Sequence, residues 1–348
     1  MKLLKELCEC AGIPGREGRL RAIVRRELEP LADKIEVDCL GNLIAVKQAT
    51  QKKAGKLMLA AHMDEIGFVV SHIDDKGRLR LVPLGGHDPR NMMAQRVVVC
   101  GTKRDLPGLL YPGLKPPHIQ TDEDRKKSLN VSDFFVDLYL PVEKVKEEVE
   151  LGAMVTIHRE FLKLGNGVSC KAMDDRVAVY VMIRAMQAAE SFAFDTSAVA
   201  TSQEEVGLRG AGVSAFGVKP DVGVALDVTL AADIPGVPDH EWVTQLGEGA
   251  AIKIQDSSFI SHPGLVAFFK DLAKKRKIKH QMEILPRGGT DAGGIQRIRA
   301  GVPVITLSVP TRYVHSSIEL ADRDDIEATV KLLTAFLEEG HKADLKLV

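Results

Sequence analysis

Several short apolar runs, each delivering an imidazole or a carboxylate at its end, constrain this chain more than any other feature. Ser197-Ala198-Val199-Ala200 is built of small and β-branched residues and reads as a buried strand. Glu204-Glu205 follows it directly, and Gly207, Gly210 and Gly212 then read as a turn into a helix. Residues 57–61 form a second buried strand, ending in His62-Met63-Asp64-Glu65. Residues 222–226 lead to Asp227, and 302–307 lead on toward His315. Helical patterns at 174–189, 264–275, 292–298 and 324–338 separate these strands, and 281–284 adds another. Such alternation requires crossover connections. It predicts an α/β fold: a three-layer α/β/α lobe with a mostly parallel sheet, helices on both faces. In such sheets the ligand crevice lies at the carboxyl ends of the strands.

The pattern is interrupted in the middle. From 67 to 163 the chain carries short alternating runs at 68–73, 79–82, 96–100, 134–139 and 154–158, with Asp74-Asp75-Lys76-Gly77 as a turn. This predicts a small β-rich domain, 67–163, inserted into a main lobe made of 1–66 and 164–348. Pro107, Pro112, Pro116 and Pro117 make 106–124 a loop in this reading. Residues 2–31 are helical, broken at Gly12-Ile13-Pro14-Gly15, and 35–38 pairs with 42–46 as strands.

Composition narrows the function classes. With 45% hydrophobic and 27% charged residues and a net charge of -1, the chain resembles an ordinary soluble protein. It has no bulk field for nucleic acid or an anionic membrane. Five cysteines without a C-x-x-C pair point to a reducing compartment. The start carries no apolar signal core and no stretch reaches membrane-spanning length, so a cytoplasmic location is expected. No serine sits in a G-x-S-x-G elbow, and Gly288-Gly289-Thr290-Asp291-Ala292-Gly293-Gly294 lacks the lysine of a phosphate loop.

The strand ends carry the chemistry. His62, Asp64, Asp174, Asp175, Glu204, Glu205, Asp227 and His315 would share one rim of the sheet. Singly, each has an ordinary explanation: a polar cap, a turn residue, a solvated acidic pair, or, for Asp174 and Asp175, the N-cap of a helix. One of that last pair is expected to cap and the other to bind metal. His72, His87, His118, His158, His240, His262, His280 and His341 lack carboxylate company at a strand end and are assigned to surface or packing. Imidazole with carboxylate suits zinc, cobalt or manganese better than magnesium or calcium. More than four such ligands suggest two divalent ions sharing a carboxylate.

The motifs His62-Met63-Asp64-Glu65-Ile66-Gly67, Met173-Asp174-Asp175-Arg176, Glu204-Glu205-Val206-Gly207, Leu226-Asp227, Gly288-Gly289-Thr290-Asp291-Ala292 and His315-Ser316 resemble those of the tetrahedral (TET) aminopeptidase family. That family holds glutamyl and deblocking aminopeptidases, some carrying an old endoglucanase label. Lys115-Pro116-Pro117-His118 resembles it too, whereas Leu138-Tyr139 departs from its usual glycine. The resemblance implies that Asp174 bridges two metals, His62 and Asp227 complete one, and Glu205 and His315 complete the other. Glu204 would be the general base, and Asp64 would orient His62 through its second ring nitrogen. Thr290 or Asp291 would contact substrate. The implied activity is release of N-terminal residues from short peptides. The inserted domain would be a PDZ-like dimerisation barrel, with dimers assembling into a tetrahedral dodecamer. The alternatives are an N-acyl amidohydrolase on the same fold, a glycosidase, and a non-catalytic peptide-binding scaffold. Neighbouring Glu204 and Glu205 are an awkward source for carboxylates flanking a sugar bond.

Overall fold

The computed structural model describes residues 1–52 and 54–347. In chain order, α1 (Lys2–Glu9), α2 (Gly18–Leu28), β1 (Lys34–Val37), β2 (Leu43–Lys47) and β3 (Lys56–His62) open the main lobe. The second lobe contains β4 (Gly67–Ile73), β5 (Leu79–Leu84), β6 (Gln95–Cys100), β7 (Asp105–Pro112), α3 (Asp122–Lys126), β8 (Phe134–Asp137), α4 (Val142–Glu148) and β9 (Met154–Ile157). The main lobe resumes with β10 (Leu162–Leu164), β11 (Gly167–Cys170), α5 (Met173–Ala188), β12 (Asp195–Thr201), α6 (Arg209–Val218) and β13 (Val222–Leu230). It closes with β14 (Ala250–Gln255), α7 (Pro263–Arg276), β15 (His280–Ile284), α8 (Asp291–Gln296), β16 (Val304–Arg312), β17 (Glu319–Asp322) and α9 (Arg323–Glu339).

The large sheet runs β1-β2-β12-β3-β13-β16-β17-β11-β10, with β14 paired to β16 and β15 to β14. Its centre, β12-β3-β13-β16, is parallel. The β14–β15 pair is parallel as well, and the remaining pairs are antiparallel, so the sheet is mixed. Short hairpin-like returns at β1–β2 and β10–β11 need no crossover helix, and their runs carry no sign of strand direction.

The central strands read as continuous apolar runs because both of their faces are buried. Leu57, Leu59 and Ala61 of β3 pack with α1, α2, α5, α7 and α9, while Met58 and Ala60 face the opposite layer with α6 and α8. Helix α5 is buried along nearly its whole length, from Met173 to Ile183, because the sheet lies on one side and α1 and α9 on the other.

The second lobe is a closed barrel, β4-β5-β8-β7-β6-β9, filled by Phe68, Val70, Leu79, Val97, Val99 and Phe134 among others. Strand β7 corrects the loop expected over 106–124. Its residues alternate strictly, with Leu106, Gly108, Leu110 and Pro112 inward. Pro107 is accommodated because this half of β7 pairs only with β6, the β8 pairing beginning at Leu109. Among the described residues, no helix is long and apolar enough to cross a membrane.

Candidate metal centre

Strand register brings the site together. Thr201 at the end of β12 lies beside His62 at the end of β3, so Glu204-Glu205 follows on at the same rim. Strand β13 pairs with β3 only as far as Ala225, then continues beside β16 with Asp227 opposite Ser308. Asp227 therefore lies within a strand, not after one, level with His62 at the end of β3 and just past the last β13–β3 pair at Ala225. Asp174 and Asp175 sit at the start of α5 with non-helical dihedrals (φ -74°, ψ 105° and φ -119°, ψ 33°). Neither is the N-cap: that position is Ala172, in the left-handed region at φ 55°. Asp175 instead accepts the main-chain N–H of His62 at 3.2 Å, fastening α5 to β3.

Asp174 is the centre of the cluster. Its Oδ1 lies 3.0 Å from His62 Nε2, and its Oδ2 lies 3.4 Å from His315 Nε2. His315 Nε2 is also 3.4 Å from Glu205 Oε2, and His62 Nε2 is 3.9 Å from Glu204 Oε2. Two donor groups result, each with all its atoms within 4.8 Å of one another: His62, Asp174, Asp175 and Asp227, and Asp174, Glu205 and His315. They overlap at Asp174.

The electrostatics fit divalent cations. Among the described residues, no lysine or arginine forms an ion pair with Asp174, Asp175, Glu204, Glu205 or Asp227. Among the described residues, the buried oxygens Asp175 Oδ1 and Glu205 Oε1 have no hydrogen-bond partner. So many buried carboxylates with orphaned oxygens are costly unless a cation is coordinated among them. Burial pushes Glu204 well above its ordinary range, with Asp227, Asp291 and Glu205 adding to it against His62. Burial, then Asp174, does the same to Asp227. Burial opposes the charge on His315, yet Asp174 and Glu205 push it up to about 12.

The turn carrying Glu204 and Glu205 is held from three sides. Asp64 is fully buried and accepts the N–H groups of Glu204 and Glu205 at 3.0 and 3.1 Å. Glu17 accepts from the Ser202 hydroxyl at 2.7 Å and the Gln203 N–H at 3.2 Å. Asn42 accepts from Ser202 N–H at 2.8 Å and donates to the Gly210 carbonyl at 3.1 Å. The family resemblance implied a different task for Asp64. Its carboxylate is 3.7 Å from His62 Nδ1, beyond a hydrogen bond, and its own main-chain carbonyl takes that place at 3.0 Å.

Of Thr290 and Asp291, Thr290 lines the cavity over the cluster and Asp291 does not. The Thr290 hydroxyl donates to Asp256 at 3.0 Å, and Asp291 accepts from the Thr201 hydroxyl at 2.5 Å. Both residues are buried and hydrogen-bonded where α8 begins. Glu319 was not among the candidate residues. This buried residue accepts the N–H of Asp174 at 2.9 Å and of His315 at 2.8 Å, tying two cluster residues to β17. A lone glutamate before Leu320 gave no signal of that. His87, assigned to packing, stacks on Phe68 at 4.2 Å, and burial pushes it down to about 4.

A cavity of about 580 Å³ opens over the cluster, lined by His62, Asp174, Glu204, Glu205, Asp227 and His315 on one side and by Leu208, Leu285 and Gly288-Gly289 on another.

Known proteins place this arrangement. An aminopeptidase from the archaeon Desulfurococcus kamchatkensis is 40% identical, with a TM-score of 0.92, over 97% of this chain and 94% of that one. The Pyrococcus horikoshii TET1 peptidase, which can assemble into a tetrahedron or a large octahedral shell, is 32% identical with a TM-score of 0.87, over 97% and 99%. The lysyl aminopeptidase of Pyrococcus furiosus is 36% identical over 97% of this chain and 96% of its own. The model of the M42 glutamyl aminopeptidases matches residues 41–332. With the motifs, the fold and these relatives in agreement along almost the whole chain, the protein belongs to the M42 glutamyl aminopeptidase family of peptidases.

Proposed function

We propose that the chain is a dinuclear metallo-aminopeptidase that releases N-terminal residues from short peptides. The observation that carries this is the pair of donor groups overlapping at Asp174. Asp174 would bridge two cations, with His62 and Asp227 on one and Glu205 and His315 on the other. The mixed imidazole and carboxylate set suits zinc or cobalt, with manganese third. When bound, two such ions supply Lewis acidity toward a peptide carbonyl and a lowered pKa for water.

The chain's own groups do the rest. Glu204 is left outside the metal set and stands within 3.9 Å of His62. Its carboxylate takes the proton of the attacking water as the new C–O bond forms, then gives it to the amine nitrogen as the C–N bond breaks. Asp64 fixes the main chain of Glu204 and Glu205, so the base and the ligand beside it keep separate directions. A free α-ammonium group is matched by the acidic rim, whereas an N-acyl group is not. This supports an aminopeptidase over a deacylase. The barrel lobe, taken as 67–163, would join two copies, and dimers would build a closed shell of the kind described for the TET1 peptidase.

The test compares free and N-acetylated peptides with the metal-loaded protein. Cleavage of free peptides, lost with a chelator and restored by zinc or cobalt, is expected; cleavage of acetylated peptides alone would overturn the proposal.

A further inference from the structure

We infer that the cavity over the metal ligands selects uncharged aliphatic N-terminal residues and turns lysine and arginine away. This rests on the aminopeptidase reading above. The relatives named for lysyl and glutamyl specificity show that the first residue is not fixed by the fold, so the walls of the cavity must decide it.

Beyond the metal set and Glu204, the lining carries the apolar side chains of Leu208, Val228, Leu230, Leu285 and Val314, together with four hydroxyl residues and Arg287. The hydroxyls among them are already committed. Thr229 donates to Glu283 at 2.6 Å, Thr290 to Asp256 at 3.0 Å, and Ser258 to Asp256 at 2.7 Å. Ser257 donates to the Gly288 carbonyl. These groups have no free donor to offer a polar side chain.

The charges point the same way. Every carboxylate lining the cavity, Asp174, Glu204, Glu205 and Asp227, belongs to the metal set or is the base. With the substrate's own amino terminus held among them, as proposed above, none is left to receive the side-chain ammonium of a lysine. The remaining charged residue of the lining is Arg287, which is exposed and has no ion pair among the described residues. It repels a cationic side chain. It could attract a glutamate, but an exposed pair is worth about fivefold at most. Burying a leucine side chain against the apolar walls is worth about tenfold to a hundredfold. At about 580 Å³ the cavity has room for such a side chain and for the start of the following residue.

The test uses the metal-loaded protein with p-nitroanilides of leucine, methionine, glutamate and lysine. Expected kcat/KM for leucine exceeds glutamate about tenfold and lysine about thirtyfold. In Arg287→Glu the lysine-to-leucine ratio rises about fivefold or more. Calorimetry with the free amino acids adds a readout that does not depend on turnover, and leucine should bind at least about tenfold tighter than lysine. Lysine or glutamate cleaved as well as leucine, or an unmoved ratio in Arg287→Glu, overturns this inference and leaves the aminopeptidase intact. Cleavage of none of the four overturns both.

Discussion

Replacing Lys253 with methionine tests the buried network beside the metal cluster. Lys253 on β14 has no exposed surface, and its ammonium lies 2.8 Å from Glu283 Oε1 and 3.7 Å from Asp256 Oδ2. Glu283 on β15 is equally buried, and its Oε1 also accepts the Thr229 hydroxyl of β13 at 2.6 Å. Three strands are thus tied at one point, two residues beyond Asp227. Burial works against the ammonium, yet Glu283, Asp227 and Asp256 outweigh it and hold Lys253 above its ordinary value. The charge is therefore kept in the folded state. Lys253→Met fills the same space but strands Glu283 without its cation. Breaking a buried pair from one side costs about 3–5 kcal/mol. Neutralising both partners, as Lys253→Met with Glu283→Gln, removes the stranded charge and leaves an acceptor for Thr229. Most of the loss should return, which a double-mutant cycle reads directly. Urea unfolding followed by the fluorescence of Trp242, the chain's one tryptophan, reports on this lobe at fixed protein concentration. A single variant within about 1 kcal/mol of wild type, or a double variant no more stable than the single, would refute the reasoning.

Three further outcomes follow from particular contacts. A Cβ at Gly210 would collide with Asn42 Oδ1 and the Ser202 carbonyl, so Gly210→Ala should lose about 1–3 kcal/mol and activity with it, measured by unfolding and by rate. Lys275, then Lys342 and Arg276, hold Glu339 down to about 2, so its contribution is present above the ordinary glutamate range and disappears as pH falls toward 2. Its cations are 62%, 55% and 44% exposed, which limits the effect to about 1 kcal/mol; the melting gap between wild type and Glu339→Gln should be open at neutral pH and closed in acid. His315→Ala should leave the circular dichroism unchanged and lower the bound metal toward half, read by elemental analysis.

The sequence made the layers legible because central strands buried on both faces must be apolar throughout. Residues 57–61 and 197–200 read as such strands. It marked candidate ligands too: His62 ends such a run and Glu204 and Glu205 follow one, while Asp174 opens a helix, Asp227 lies inside a strand and His315 lies in a loop after one. Strand direction at the flanks was hidden, because β10, β11 and β17 are short and carry nothing that separates parallel from antiparallel pairing. Strand β7 was hidden by its prolines, although its inward residues alternate without a break. Long-range support was hidden for a different reason. Glu319, Glu17 and Asn42 act on main-chain groups far away in the sequence, and a residue that accepts a remote N–H has no local signature. Asp64 shows the same limit: the resemblance implied a carboxylate on the His62 ring, whereas its carboxylate holds the turn after β12.

Metal content and turnover of Glu204→Gln, measured on one preparation, test the division of labour most directly. Glutamine keeps the shape and removes only the proton acceptor. Two metals per chain should remain, with cleavage down by about a hundredfold to ten-thousandfold. Metal lost together with activity, or cleavage within tenfold of wild type, would contradict the assignment of Glu204 as the base.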